Sequence, residues 1–206
     1  MILDSHTHNV NSAYAIISVS PTSFSPQEGH FYSVGIHPWN TAATTAEELE
    51  QLAVVAGHKQ VVAIGETGLD SLRGAPLSRQ EEIMRRHIDL AEQLGKPLII
   101  HMVRTAQQLL RLKKTLKPAL PWIIHGFRGN ERVARQLVDA GFFISVGMRF
   151  NETAVKIIPD ELLLIETDDS QTDINAIAAS VAQARCITPQ QLIAITNRNA
   201  SGVFKV

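Results

Sequence analysis

Residues 95–101 read Gly95-Lys96-Pro97-Leu98-Ile99-Ile100-His101, and this stretch decides the fold. Glycine followed closely by proline is how a helix stops. The aliphatic run that follows suits a strand covered on both faces, and it ends abruptly on a histidine. The same design recurs along the chain. Residues 61–66, 122–125, 142–146 and 162–166 are near-continuous aliphatic or β-branched runs, and amphipathic stretches over residues 45–56, 105–116, 130–140, 173–184 and 189–200 read as helices around them. One further helix is expected to open at Ser78, with Glu81 three residues on in capping-box spacing, and to close at Gly95. Buried strands alternating with helices are the pattern of successive parallel βα units.

Three upstream strands, over residues 2–5, 15–19 and 31–36, bring the count to the eight of a closed barrel. Their links run to only about eight to eleven residues, whereas a parallel crossover ordinarily takes a dozen or more. The expected fold is therefore α/β, a distorted TIM (β/α)8-like barrel with the first two crossover helices reduced or absent, forming one domain over residues 1–206. The thinly covered side, near residues 9–30, would expose apolar strand surface and favour a homo-oligomer.

Composition narrows the function classes. With 45% hydrophobic and 19% charged residues the chain fits a globular enzyme, and it has no run of about 18 apolar residues to span a bilayer. Its opening, Met1-Ile2-Leu3-Asp4-Ser5-His6, places an acid and a histidine where a signal peptide needs a basic and then an apolar region, so a cytoplasmic location is expected. The single cysteine, Cys186, excludes an internal disulfide and reads as a buried structural residue. A net charge of −1 gives no global basic field, so any nucleic acid must be held locally.

The polar strand ends carry the chemistry. His6 and His8 are two apart at the end of the first strand, which puts both side chains on one face. Glu66, His101, His125 and Glu166-Thr167-Asp168 each fall at the carboxyl end of a strand, where barrel enzymes place their catalytic groups. Imidazole nitrogens and carboxylate oxygens together suit two divalent ions (Mg2+, Mn2+ or Zn2+), with a carboxylate bridging ions about 3.5 to 4 Å apart. The reading assigns His6, His8, Glu66 and Asp168 to a first site and Glu66, His101 and His125 to a second. Glu66 is the bridge, and Asp168 doubles as a proton acceptor for water. His37 ends the third strand and faces the same mouth, while Arg104 and Arg128 follow metal-site strands; all three are candidates for binding substrate phosphates. Trp39 reads as packing, with base stacking as the alternative. His30, His58 and His87 read as surface or loop residues.

Taken in order, Asp4-Ser5-His6-Thr7-His8, Gly35-Ile36-His37-Pro38, Gly65-Glu66-Thr67-Gly68-Leu69-Asp70, Lys96-Pro97-Leu98-Ile99-Ile100-His101, His125-Gly126-Phe127-Arg128-Gly129, Glu166-Thr167-Asp168 and Thr196-Asn197-Arg198-Asn199 resemble the TatD-like metal-dependent deoxyribonucleases, within the wider amidohydrolase-like barrels. By resemblance, His6, His8, Glu66, His101, His125 and Asp168 are that family's metal-binding positions, and the activity implied is metal-dependent phosphodiester hydrolysis. This sequence departs from the family in a shorter stretch between His8 and His37, in Asp169-Ser170-Gln171 without the usual proline-containing loop, and in Arg104 standing one residue late.

Two enzyme classes follow: a DNase acting on DNA or nucleotide ends, and a metal-dependent amide or ester hydrolase of a small molecule or aminoacyl ester. The absence of a lysine from residues 61–66, where many amidohydrolase barrels carry a modified lysine as bridge, favours the first. A non-catalytic metal-binding scaffold is disfavoured, since loss of function would first remove costly buried polar groups.

Overall fold

The computed structural model describes residues 3–206. Eight strands run in one parallel sheet whose spatial order follows the chain: β1 (Asp4–Thr7), β2 (Ala15–Val19), β3 (Phe31–Val34), β4 (Val61–Asp70), β5 (Leu98–Val103), β6 (Trp122–Ile124), β7 (Phe143–Val146) and β8 (Leu163–Ile165). A bridge between Thr7 and Asp168 joins the last strand back toward the first, so the sheet is a nearly closed barrel. Helix α1 (Ala46–Ala56) connects β3 to β4, α2 (Leu77–Leu94) β4 to β5, α3 (Ala106–Leu116) β5 to β6, α4 (Glu131–Asp139) β6 to β7 and α5 (Glu152–Ile157) β7 to β8. Two more, α6 (Ile174–Ala184) and α7 (Pro189–Phe204), follow the last strand.

One apolar cluster draws Leu3, Ile16, Phe31, Ala63, Ile99, Ile123, Phe143 and Leu164 together, one residue from each strand or its immediate lead-in. Only the interior of a barrel can collect such a set. Ala200, Val203 and Phe204 of α7 join it and plug that end, leaving the opposite, carboxyl end of the strands to polar groups. The main cluster lies outside the barrel, between the later strands and their helices.

Neither β1–β2 nor β2–β3 is linked by an α-helix; the second link holds one short 3-10 turn at Pro21–Ser23. The apolar strand surface expected to be bare there is instead covered by the chain itself. Ile17 is fully buried in a cluster with Phe24 from the link and with Leu49 and Leu52 of α1, and Gln51 donates to the Pro21 carbonyl at 3.2 Å. The strand surface is thus covered there, while Val10 and Tyr14 of the first link stay exposed.

Local differences have local causes. β1 begins at Asp4, and residue 2 of the expected strand lies outside the described residues. β4 extends to Asp70, four residues beyond Glu66, and the Gly65–Glu66 peptide is cis. Gly65 sits where a Cβ would come within 2.5 Å of the Ile99 carbonyl oxygen, so only glycine lets β4 and β5 approach this closely beside Glu66. Ser78 does not cap α2: the helix starts at Leu77 with Pro76 in the cap position, whose carbonyl accepts from Arg79 and Gln80. Asn130 does cap α4, accepting from Val133, and Thr188 forms a full capping box with Gln191 ahead of Pro189. Cys186 is exposed, in the left-handed turn between α6 and α7, not buried.

Candidate metal centre

Glu66 is the hub of the polar end of the barrel. Its two oxygens face different sets of imidazoles: Oε2 lies 3.5 Å from His6 Nε2 and 3.5 Å from His8 Nε2, while Oε1 lies 2.7 Å from His125 Nε2, 2.8 Å from His101 Nδ1 and 3.0 Å from His37 Nε2. Asp168 Oδ1 closes the first set at 3.7 Å from His6 Nε2 and 3.6 Å from His8 Nε2. All six residues assigned to metal are thus gathered at one place. The backbone fixes Asp168 there: its N–H donates to the His6 carbonyl at 3.0 Å, its carbonyl accepts from His8 N–H at 3.0 Å, and its φ of 56° is left-handed.

Carboxylates to which the sequence reading gave no separate role lie against these imidazoles or their backbone. Glu166, fully buried, accepts from Gly126 N–H at 2.5 Å and lies 3.4 Å from His125 Nδ1. Asp70 Oδ2 lies 3.4 Å from His101 Nε2 and accepts the Trp39 indole N–H at 2.6 Å. Gln80 in turn fixes Asp70, accepting its N–H at 2.7 Å and donating to its carbonyl at 2.9 Å. Asp4 accepts from the backbone of His6 and Thr167 and, at 2.6 Å, from the Thr167 hydroxyl. Sequence alone signalled only that these acids sat beside the ligand motifs.

Electrostatics follow from burial set against pairing. Burial pushes Glu66 up, but His125, His101 and His37 outweigh it and hold the carboxyl well below its usual range. Burial opposes a charge on His125, yet Glu66 and Glu166 raise it well above the usual imidazole value. His8 is raised chiefly by its hydrogen bond to Glu66. Asp4 is pushed up to about 7 by burial, against the lowering effect of its hydrogen bonds.

Whether these residues fit divalent ions can be judged from their unmet bonds. Both ring nitrogens of His6, 1% exposed, lack a hydrogen-bond partner, as do His125 Nδ1 and Glu166 Oε2. Each unpaired buried polar atom costs roughly 1–3 kcal/mol. Glu66, Asp168, Glu166, Asp70 and Asp4 crowd one end of the barrel, and among the described residues no lysine or arginine pairs with any of them. Ligand atoms within 4.8 Å of one another form the groups His6–Glu66–His125, His6–His8–Asp168, His37–Glu66–His101 and His125–Glu166–Asp168. The donor set is the nitrogen and carboxylate mixture that divalent transition metals take, and cations would satisfy both the orphan atoms and the excess negative charge.

His37 is set apart by its tautomer. Its Nδ1 accepts the Trp39 main-chain N–H at 3.2 Å, which leaves the proton on Nε2, so the face toward Glu66 is a donor and not a ligand lone pair. Arg104 and Arg128 are exposed and make no ion pair among the described residues; both line a cleft of about 790 Å³ that runs to His101, His125 and Asp168. A second cleft of about 440 Å³ reaches the centre from the β2 and β3 side, past Ser18, His37 and Trp39. A third, of about 420 Å³, adds Arg149, which sequence reasoning missed.

The family model described as TatD related DNase matches residues 22–205. The chain belongs to the TatD family. YabD of Bacillus subtilis, named as an uncharacterized metal-dependent hydrolase, is 29% identical over 198 residues, 85% of this chain and 78% of its own length. A TatD protein of Cronobacter sakazakii, named as a 3'-5' ssDNA/RNA exonuclease, is 28% identical over 205 residues, 86% of this chain and 78% of its own. The crystal structure of YjjV, a TatD homologue from Escherichia coli, superposes with a TM-score of 0.88 at 21% identity, covering 100% of this chain and 98% of that one, and shows the shared fold. On that TatD fold the His, Glu and Asp cluster is that of a metal-dependent hydrolase with a two-metal centre. No helix among the described residues is long and apolar enough to cross a membrane.

Proposed function

We propose that this TatD-family chain hydrolyses phosphodiester bonds of DNA, at nucleotide ends in preference to long duplex. The observation that carries the reading is the division of Glu66, with one oxygen toward His6 and His8 and the other toward His101 and His125, as a ligand shared by two ions would be disposed. His6, His8, Glu66 and Asp168 would hold the first ion; Glu66, His101 and His125 the second. When bound, the pair lowers the pKa of water toward neutrality and screens charge on phosphate oxygens.

The chain's own residues supply the remainder. Asp168 is the residue at the centre with partial access to the cleft and the shape to accept a proton from water. His37 Nε2–H is placed to donate to a phosphate oxygen, and Arg104 and Arg128 can clamp neighbouring phosphates from the wall of the larger cleft. Glu166 and Asp70 orient the His125 and His101 rings. The exonuclease name of the Cronobacter relative supports nucleic acid as substrate, and the net charge of −1 argues against strong binding to extended duplex. The barrel core, to which every strand contributes, supports one hydrolase domain over residues 1–206, and the lone Cys186 fits a cytoplasmic setting.

The test is hydrolysis by the purified, metal-reconstituted protein of a panel containing single-stranded DNA, abasic duplex, RNA, aminoacyl esters and small amides. Cleavage of DNA with the esters and amides untouched supports the reading. Turnover of the amides or aminoacyl esters alone overturns it in favour of the other enzyme class.

A further inference from the structure

Trp39 is 45% exposed, although it stands at the mouth of a barrel whose other large aromatics are mostly covered. The residue sits in the one-turn 3-10 segment Pro38–Asn40 after β3 and is held from three sides. Its indole N–H donates to Asp70 Oδ2 at 2.6 Å, its ring meets His37 edge-on with centroids 4.7 Å apart, and it meets His101 in the same manner at 5.8 Å. The Arg73 guanidinium lies over the ring, 4.6 Å from its centroid. Trp39 nevertheless lines both the 440 Å³ and the 790 Å³ clefts, and Arg73 lines neither.

Nearly half of this large aromatic surface is left in water, where it gains nothing for the fold, and the hydrogen bond to a buried acid fixes the ring in that half-exposed position. Such a ring has a use if a flat partner arrives. A rigid indole backed by a cation and one residue from the metal centre is a surface on which a planar heterocycle can stack, and base-to-aromatic stacking tolerates any base. We propose that Trp39 is the stacking platform for the nucleobase adjoining the bond that is cut. The proposal rests on the nuclease reading and goes beyond it by saying how the substrate is gripped. It also accounts for a preference for single-stranded ends over long duplex, since a base inside a duplex has both faces covered by its stacked neighbours.

The test uses the metal-reconstituted protein and short single-stranded oligodeoxynucleotides in which one abasic residue is moved along the chain. In the wild type, removing the base at one position next to the cleaved bond should lower kcat/KM by between about fivefold and about 100-fold. That penalty should vanish in Trp39→Leu and largely survive in Trp39→Phe, which keeps a stacking face but lacks the N–H to Asp70. Equal rates for abasic and intact substrates at every position would overturn the proposal. So would equal losses in Trp39→Phe and Trp39→Leu, which would mean that the ring only holds Asp70 and His101. If no DNA is cut at all, the nuclease reading fails and tryptophan fluorescence decides the stacking separately. The only other tryptophan, Trp122, is buried at 1% exposure. Quenching by dAMP but not by deoxyribose 5-phosphate, absent in Trp39→Phe, would support stacking; equal quenching by both, or none by either, would overturn it.

Discussion

His87 Nε2 accepts the main-chain N–H of Ile36 at 2.9 Å, while His87 Nδ1 donates to the Ile83 carbonyl at 2.8 Å. This ring, wholly buried on α2, ties that helix to the end of β3 one residue before His37. The structure corrects the expectation that His87 lies at the surface. Its spacing from Ile83 and Ala91, four residues on either side, places it on the apolar face of the helix, a signal present in the sequence.

A pH dependence follows from that burial, which pushes His87 down to about 4. Above about pH 6.5 the ring is neutral in both folded and unfolded chains and costs nothing. As pH falls from 6.5 toward 4, the unfolded chain takes up a proton the folded one refuses, so stability is lost across that window, by about 3 kcal/mol in full. His87→Gln should be less stable than wild type at pH 7.5 by about 1–3 kcal/mol, and the difference should shift in the variant's favour by about 2.5 kcal/mol at pH 4.5, closing or reversing the gap. Urea denaturation of both proteins at the two pH values measures this; a constant gap would show that His87 does not titrate as argued.

Glu166 presents a different case, because it touches His125 without facing the larger cleft. Glu166→Gln keeps an oxygen for Gly126 N–H but removes the charge that orients and polarises the imidazole. Metal affinity should weaken about 10- to 100-fold, with turnover partly restored by added metal. Affinity within twofold of wild type by calorimetry would remove Glu166 from the account.

Asp168 and His6 should separate ligation from proton transfer. His6→Ala deletes a ligand, so excess metal should recover part of its activity. Asp168→Asn keeps a ligand oxygen but cannot hold the proton, and its turnover should stay about 10²- to 10⁴-fold down with both ions bound. Near-normal turnover of Asp168→Asn at saturating metal would show that another group takes the proton.

The ligand set was legible because each member ends a strand with its own strong aliphatic signal, so position in the barrel followed from position in the chain. Asp70 was not, since its hold on Trp39 and His101 spans 31 residues in each case and depends on β4 running four residues past Glu66. The missing crossover helices could be read from link length, but the way Phe24 folds back under α1 could not, because a single aromatic in a loop carries no periodicity. Cys186 misled for a different reason: it was judged by residue type, although it falls in the gap between the helices read over residues 173–184 and 189–200, where its left-handed turn leaves it exposed.

The central claim is that Glu66 is shared by two ions and that both are needed. Metal content and phosphodiester turnover should be followed together while the chelated protein is titrated with Mn2+, for wild type and Glu66→Gln. The account predicts no turnover after exhaustive chelation, activity that rises only as the second equivalent binds, and a Glu66→Gln protein weakened at both sites at once. Full activity in the metal-free protein, or with one equivalent bound, or a Glu66→Gln variant that loses one ion and holds the other normally, would contradict it.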